Sequence, residues 1–222
     1  MPDHEQLIEA AGLMPHAPIL IPEVGGGREK DAAQSVQAMR RVSRRLLAGK
    51  PERLVLISPH SPRWPGIFGV WPAARLHGSL EPFGCPQVEL DLANDPAFLR
   101  SLKLKAEARA LRLKDIPDRC LDHGAIVPLY FLVEAGWHGP TVVLGLNYPG
   151  DGGLAELGQC IAAAVEECGG KTAVIASGDM SHRLKPDAPA GFHPKARLFD
   201  EAFVSLVRRG RYDLLPVIDP AL

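Results

Sequence analysis

Short, uninterrupted apolar runs separated by stretches of helical period constrain this chain more than any other feature of it. Arg53–Ser58 (RLVLIS), residues 140–146 (PTVVLGL) and Thr172–Ser177 (TAVIAS) are the clearest. A run that stays apolar through both alternating faces belongs to a strand buried on both sides, as in a parallel sheet. Between such runs the spacing changes to three and four: Ala32, Val36, Met39, Val42, Leu46 and Leu47 predict a helix over residues 28–49. Asp122 predicts the cap of a helix running to about Ala135, and residues 153–168 predict another, stopped by Gly169 and Gly170. Residues 7–14, 67–71 and 88–92 read as further strands, 96–105 as a short helix and 194–208 as a last one. Strands alternating with helical crossovers set the fold expectation. It is an α/β, single-domain sandwich over residues 1–222, with a mostly parallel central sheet covered by helices on both faces.

With 222 residues, of which 46% are hydrophobic and 23% charged, the chain can bury a core without disulfides or a structural metal. A formal net charge of −1 argues against a general nucleic-acid or membrane-surface binder, because both need a basic excess. Cys85, Cys120, Cys160 and Cys168 are scattered, with no CxxC pair, and read as reduced thiols. The first residues, MPDHEQLIEAAG, carry acids where a signal peptide is basic and then apolar. No apolar run approaches the roughly 20 residues of a membrane span. The expectation is a soluble, cytoplasmic protein.

Four of the eight histidines occupy similar places. His16 follows the first strand (AGLMPH), His60 the second clear one (LVLISPH) and His182 the last (VIASGDMSH), while His123 stands at the mouth of a helix (LDHGAIVPLYFL). In open parallel sheets ligands bind beyond the carboxyl ends of the strands, where loops converge and helix N-termini point. Histidines remote in sequence can therefore meet there. A neutral imidazole ligates iron, zinc or copper, and one that titrates near neutrality serves as acid or base. A single histidine after a strand is ordinarily a loop residue bonded to a carbonyl; four in matching settings argue for a shared site. Pro15 and Pro59 fix the backbone before His16 and His60.

Other features carry less. Gly25, Gly26 and Gly27 lack any phosphate-loop motif and read as a turn; Ser177 and Ser181 lack a nucleophile elbow; HExxH is absent. Arg40, Arg41, Arg44 and Arg45 read as a solvated helix face, and His4, His77, His138 and His193 as exposed. Asp179 either orients His182 or holds a turn.

Taken together, MPHAPILIPEVGGG, ISPHSP, LDHGAIVPLYFL and IASGDMSHRL resemble, in order, the motifs of the class III extradiol ring-cleavage dioxygenase catalytic-subunit family, which is protocatechuate 4,5-dioxygenase β-subunit-like. The nearest likeness is to its microbial branch related to mediator-of-cell-motility proteins. The resemblance runs from about Gly12 to the C-terminal end and implies an α/β sandwich. It places His16 and His60 on the family's metal-binding histidines and His182 on its acid/base, or on a third metal ligand in some relatives. His123 falls on a catalytic histidine lining the substrate and oxygen pocket. The implied cofactor is Fe(II), with zinc or copper as ions the same imidazoles accept. The implied reaction opens a catechol-type aromatic ring with O2, beside rather than between the two hydroxyls. Implied partners are the small aromatic substrate and O2, a partner domain or subunit, and a second copy in a homodimer.

One departure is plain. The dioxygenases complete their iron site with a glutamate near the C-terminus, and no residue of this sequence, which ends IDPAL, matches it. Glu23, Asp122 and Asp179 lie near the motifs as substitutes. The alternatives are a relative without dioxygenase activity, using the histidine pocket as a metal- or partner-binding module, and a metal-dependent hydrolase on the same scaffold.

Overall fold

The computed structural model describes residues 7–117, 119–188 and 190–219. They form two compact units, one ending at Gly178 and one beginning at Asp179. In chain order the first contains β1 (Ile8–Met14), the single-turn α1 (Pro22–Gly25), α2 (Ala33–Ala48), β2 (Arg53–Ser58), β3 (Ile67–Val70) and β4 (Arg75–Leu80). It continues with β5 (Cys85–Ala93), α3 (Pro96–Glu107), β6 (Arg112–Asp115), α4 (His123–Glu134), β7 (Thr141–Gly145), α5 (Leu154–Cys168) and β8 (Thr172–Ser177). The second contains α6 (Ala196–Arg208) and a 3-10 stretch, Tyr212–Val217.

The six-stranded sheet has the order β1-β8-β2-β7-β3-β6. Its first four strands are mutually parallel; β3 runs antiparallel to β7, and β6 parallel to β3. β4 and β5 form a separate antiparallel pair. The fold is thus α/β with a mostly parallel central sheet flanked by helices. Alternation along the strands explains why the runs are apolar throughout. Leu54 and Leu56 pack with Met39 and Leu46 of α2 and Ile126 and Leu129 of α4. Val55 points the other way and packs with Val142, Leu144 and the α3 and α5 residues Phe98, Leu102, Leu157 and Ile161. Two apolar layers sandwich the sheet, and each buried side chain of this size stabilises by about 1.5–3 kcal/mol.

Differences from the sequence reading have local causes. The helix expected over 28–49 is split: a 3-10 turn, Arg28–Ala32, precedes α2, and Ala32 leaves helical geometry at φ −110°. Gly26 and Gly27 both have positive φ, so the glycine run is a turn after α1. β4 and β6 were not anticipated, because RLHGSL interrupts its apolar residues with His77 and Gly78, and RLKD is mostly charged. β6 is a sheet edge, where exposed Arg112, Lys114 and Asp115 discourage pairing with other chains. Of the arginine face on α2, Arg40 is not merely solvated: it pairs with Glu134 at 2.9 Å and ties α2 to α4. Among the described residues no helix is long and apolar enough to cross a membrane.

Candidate metal centre

Parallel register brings the ends of three strands side by side. Met14 of β1 lies opposite Ser177 of β8, and Ile57 of β2 opposite Ala176. His16 and His60 each follow two residues beyond their strand, so both rings emerge at this carboxyl edge. His123 is the first residue of α4, whose start is fixed when the Asp122 side chain accepts a hydrogen bond from the Ala125 N–H.

The three rings meet. The Nε2 atoms of His16 and His60 lie 3.0 Å apart, with the ring planes at 83°. The His123 ring centroid is 4.1 Å from that of His60 and 5.7 Å from that of His16. One nitrogen from each ring falls within 4.8 Å of the others. Burial is graded: His16 is 4% exposed, His123 half-buried and His60 exposed. Phe83, 5.2 Å from His123, adds an exposed apolar ring at the margin.

This donor set fits a transition-metal ion. Imidazoles are neutral ligands that need no charge compensation on burial, and two of them about 2.1 Å from one ion at near a right angle stand about 3.0 Å apart. The surroundings hold the rings in place. Ser177 Oγ is 3.0 Å from His16 Nδ1 and donates to the Gly124 carbonyl at 2.6 Å. Ser58 Oγ, 3.3 Å from the His60 N–H, donates to Asp122 at 2.5 Å, and Ser61 donates to the other carboxylate oxygen at 2.8 Å. Trp71 Nε1 in turn donates to Ser61 Oγ at 3.3 Å. Gly124 is required here for space, since a Cβ would stand 2.5 Å from Ser58 Oγ and 3.1 Å from His60 Cδ2.

Of the histidines singled out in the sequence, His16, His60 and His123 are brought together. His182 belongs to the second unit, where its exposed ring places Nε2 3.4 Å from Asp179 Oδ2. None of the three substitute carboxylates stands in the three-histidine group. Asp122 is engaged by Ser58, Ser61 and Ala125, Glu23 lies 3.4 Å from the Tyr130 hydroxyl, and Asp179 faces His182. Ser181 ties the start of the second unit to α6 through Asp200 and the Ala196 carbonyl. His77 and His138 are exposed, as expected; His193 is half-buried instead, its N–H bonded to the Arg183 carbonyl, and His4 lies outside the described residues. Ser177 was weighed in the sequence only as a nucleophile, whereas its contact is with His16.

The sequence profile of the family described as the catalytic LigB subunit of aromatic ring-opening dioxygenase matches residues 10–220. This chain belongs to the LigB family. Among curated relatives, Protein CA_C1420 of Clostridium acetobutylicum is 28% identical over 218 residues, covering 93% of this chain and 46% of that protein. The 3,4-dihydroxyphenylacetate 2,3-dioxygenase of Escherichia coli is 32% identical over 119 residues, 50% of this chain and 42% of that protein. The LigB-family chain thus spans less than half the length of either relative. A crystal structure of the uncharacterized protein JW3007 from Escherichia coli K12 covers 73% of this chain and 62% of its own, at 21% identity and a TM-score of 0.47.

Proposed function

We propose that this LigB-family protein is a metal-dependent, non-haem Fe(II) extradiol dioxygenase acting on a catechol-type aromatic, with His16 and His60 as metal ligands. The observation that carries the reading is the 3.0 Å approach of their Nε2 atoms at the carboxyl edge of the sheet. Ferrous iron held there supplies a centre at which a catechol and O2 are brought together and activated for ring opening. The dioxygenase named among its relatives supports an aromatic substrate.

The chain's own groups then divide the remaining work. Buried His16 is shielded from water and fixed by Ser177. His123 sits at the first turn of α4, whose dipole favours an anionic oxygen, and its ring donates a hydrogen bond to substrate or oxygen. Phe83 offers an apolar edge to a flat ring. By the family resemblance, His182 is the group that takes and returns the phenolic proton.

A second reading has one observation in its favour. The group contains three imidazoles and, among the described residues, no carboxylate, so a binding module for zinc or copper fits its donors too. The test is anaerobic reconstitution with Fe(II), then oxygen uptake with a panel of catechols. Uptake with at least one catechol is expected, and His182→Ala should lower it by about 10²–10⁴-fold while retaining the parent's metal content. Tight metal binding without oxygen uptake across the panel would refute the dioxygenase reading and favour the module.

A further inference from the structure

We infer that Ser177 and Pro128 together fix the tautomer of His16, presetting its Nε2 as a lone-pair donor before any metal arrives. The inference rests on His16 being a ligand only for its purpose; the proton bookkeeping stands on the structure alone. Pro128 lies inside α4 and has no N–H. The carbonyl four residues earlier, that of Gly124, therefore lacks its intrahelical donor. Ser177 Oγ lies 2.6 Å from this oxygen in a buried setting.

A carbonyl oxygen can only accept, so the single hydroxyl proton of Ser177 points at Gly124. The same Oγ stands 3.0 Å from His16 Nδ1. With its proton committed, it can only accept there, and Nδ1 must carry the hydrogen. A neutral ring protonated at Nδ1 keeps its lone pair at Nε2, the atom 3.0 Å from His60 Nε2. A donor missing from one helix thus sets the position of a proton on a ring beyond β1. Ser177 and Pro128 act here as positioning residues, through His16.

The test reads the tautomer directly in metal-free protein labelled with nitrogen-15 at histidine, using two-bond nitrogen–proton correlation spectra. The parent is expected to show His16 protonated at Nδ1 and bare at Nε2. Ser177→Ala should move a large share of the proton to Nε2 and weaken Fe(II) or zinc binding by about 10–100-fold. Ser177→Thr keeps the hydroxyl and should keep the parent's pattern. Pro128→Ala supplies Gly124 with a helical donor and should shift the proton in the same sense as Ser177→Ala, by less. A parent ring protonated at Nε2, or a Ser177→Ala spectrum matching the parent's, overturns the inference. A Pro128→Ala spectrum matching the parent's removes Pro128 from it. A protein with the expected Ser177-dependent tautomer that holds no metal defeats the proposed function and leaves the tautomer assignment standing.

Discussion

Asp122 shows how much a single side chain determines at this site. One oxygen accepts from Ser58 Oγ and the Ala125 N–H, the other from Ser61 Oγ, so an acceptor-only group is fully engaged. It holds the loop after β2 against the start of α4, and with them His60 and His123. Asp122→Ala removes a helix cap and orphans hydroxyls packed away from water, which should cost about 2–4 kcal/mol of stability. Metal affinity should drop by about 10–100-fold in the same variant. Denaturant unfolding and metal titration check both; a variant with the parent's values would show that the carboxylate positions nothing. His16 and His60 were legible in the sequence because strand ends and preceding prolines marked them, and Asp122 was legible as a cap, with His123 beside it. Ser177 was not, since its partners His16 and Gly124 stand 161 and 53 residues away. Pro128 also passed unread: a proline inside an apolar helix normally costs about 3 kcal/mol, and the buried serine hydroxyl offsets part of that by satisfying the carbonyl it frees.

Among the elements, a largely buried ion pair joins β2 to the start of α3. Arg53 Nε lies 2.6 Å from Asp95 Oδ2, with side chains only 11% and 13% exposed, and the guanidinium also reaches the Gly169 carbonyl and Thr172 Oγ1. Asp95 caps α3 through the Phe98 N–H, and Arg53 stacks on the Phe98 ring at 4.7 Å. Burial pushes the Asp95 carboxyl up, but the Phe98 N–H and the Arg53 guanidinium outweigh it and hold it below its ordinary value. A carboxyl depressed in the folded state stabilises fully above its unfolded pKa, about 3.9, and loses that contribution as pH falls through the folded value. Asp95→Ala should therefore cost about 3 kcal/mol at pH 7, because Arg53 is left charged and largely buried, and the gap to the parent should narrow below about pH 3.9. Equal melting temperatures of parent and variant at pH 7 would rule this out. Element type was readable wherever the period was clean: Arg53–Ser58 and Thr172–Ser177 match β2 and β8. It failed where tertiary pairing made a strand from a polar run, as in β4 against β5 and β6 against β3.

For the molecule as a whole, the family profile spans residues 10–220, and the sheet order with its flanking helices shows an α/β architecture. Neither decides the reaction, because one scaffold hosts many chemistries. The fold class was legible because continuous apolar strands demand helices on both faces, and the packing of Leu54 and Val55 into opposite layers supplies them. A shared site including His123 was an expectation from the sequence; the ring geometry with His16 and His60 was not, because it depends on where α4 begins relative to two strand ends. The proposed ring opening requires an ion at that point. The most direct measurement is the metal affinity of the purified, reconstituted protein beside His16→Ala and His60→Ala. The parent should retain about one ion per chain, and each variant should bind at least about 100-fold more weakly, since it loses a direct ligand and the shared nitrogen pair. Variants that hold metal as tightly as the parent would contradict the account.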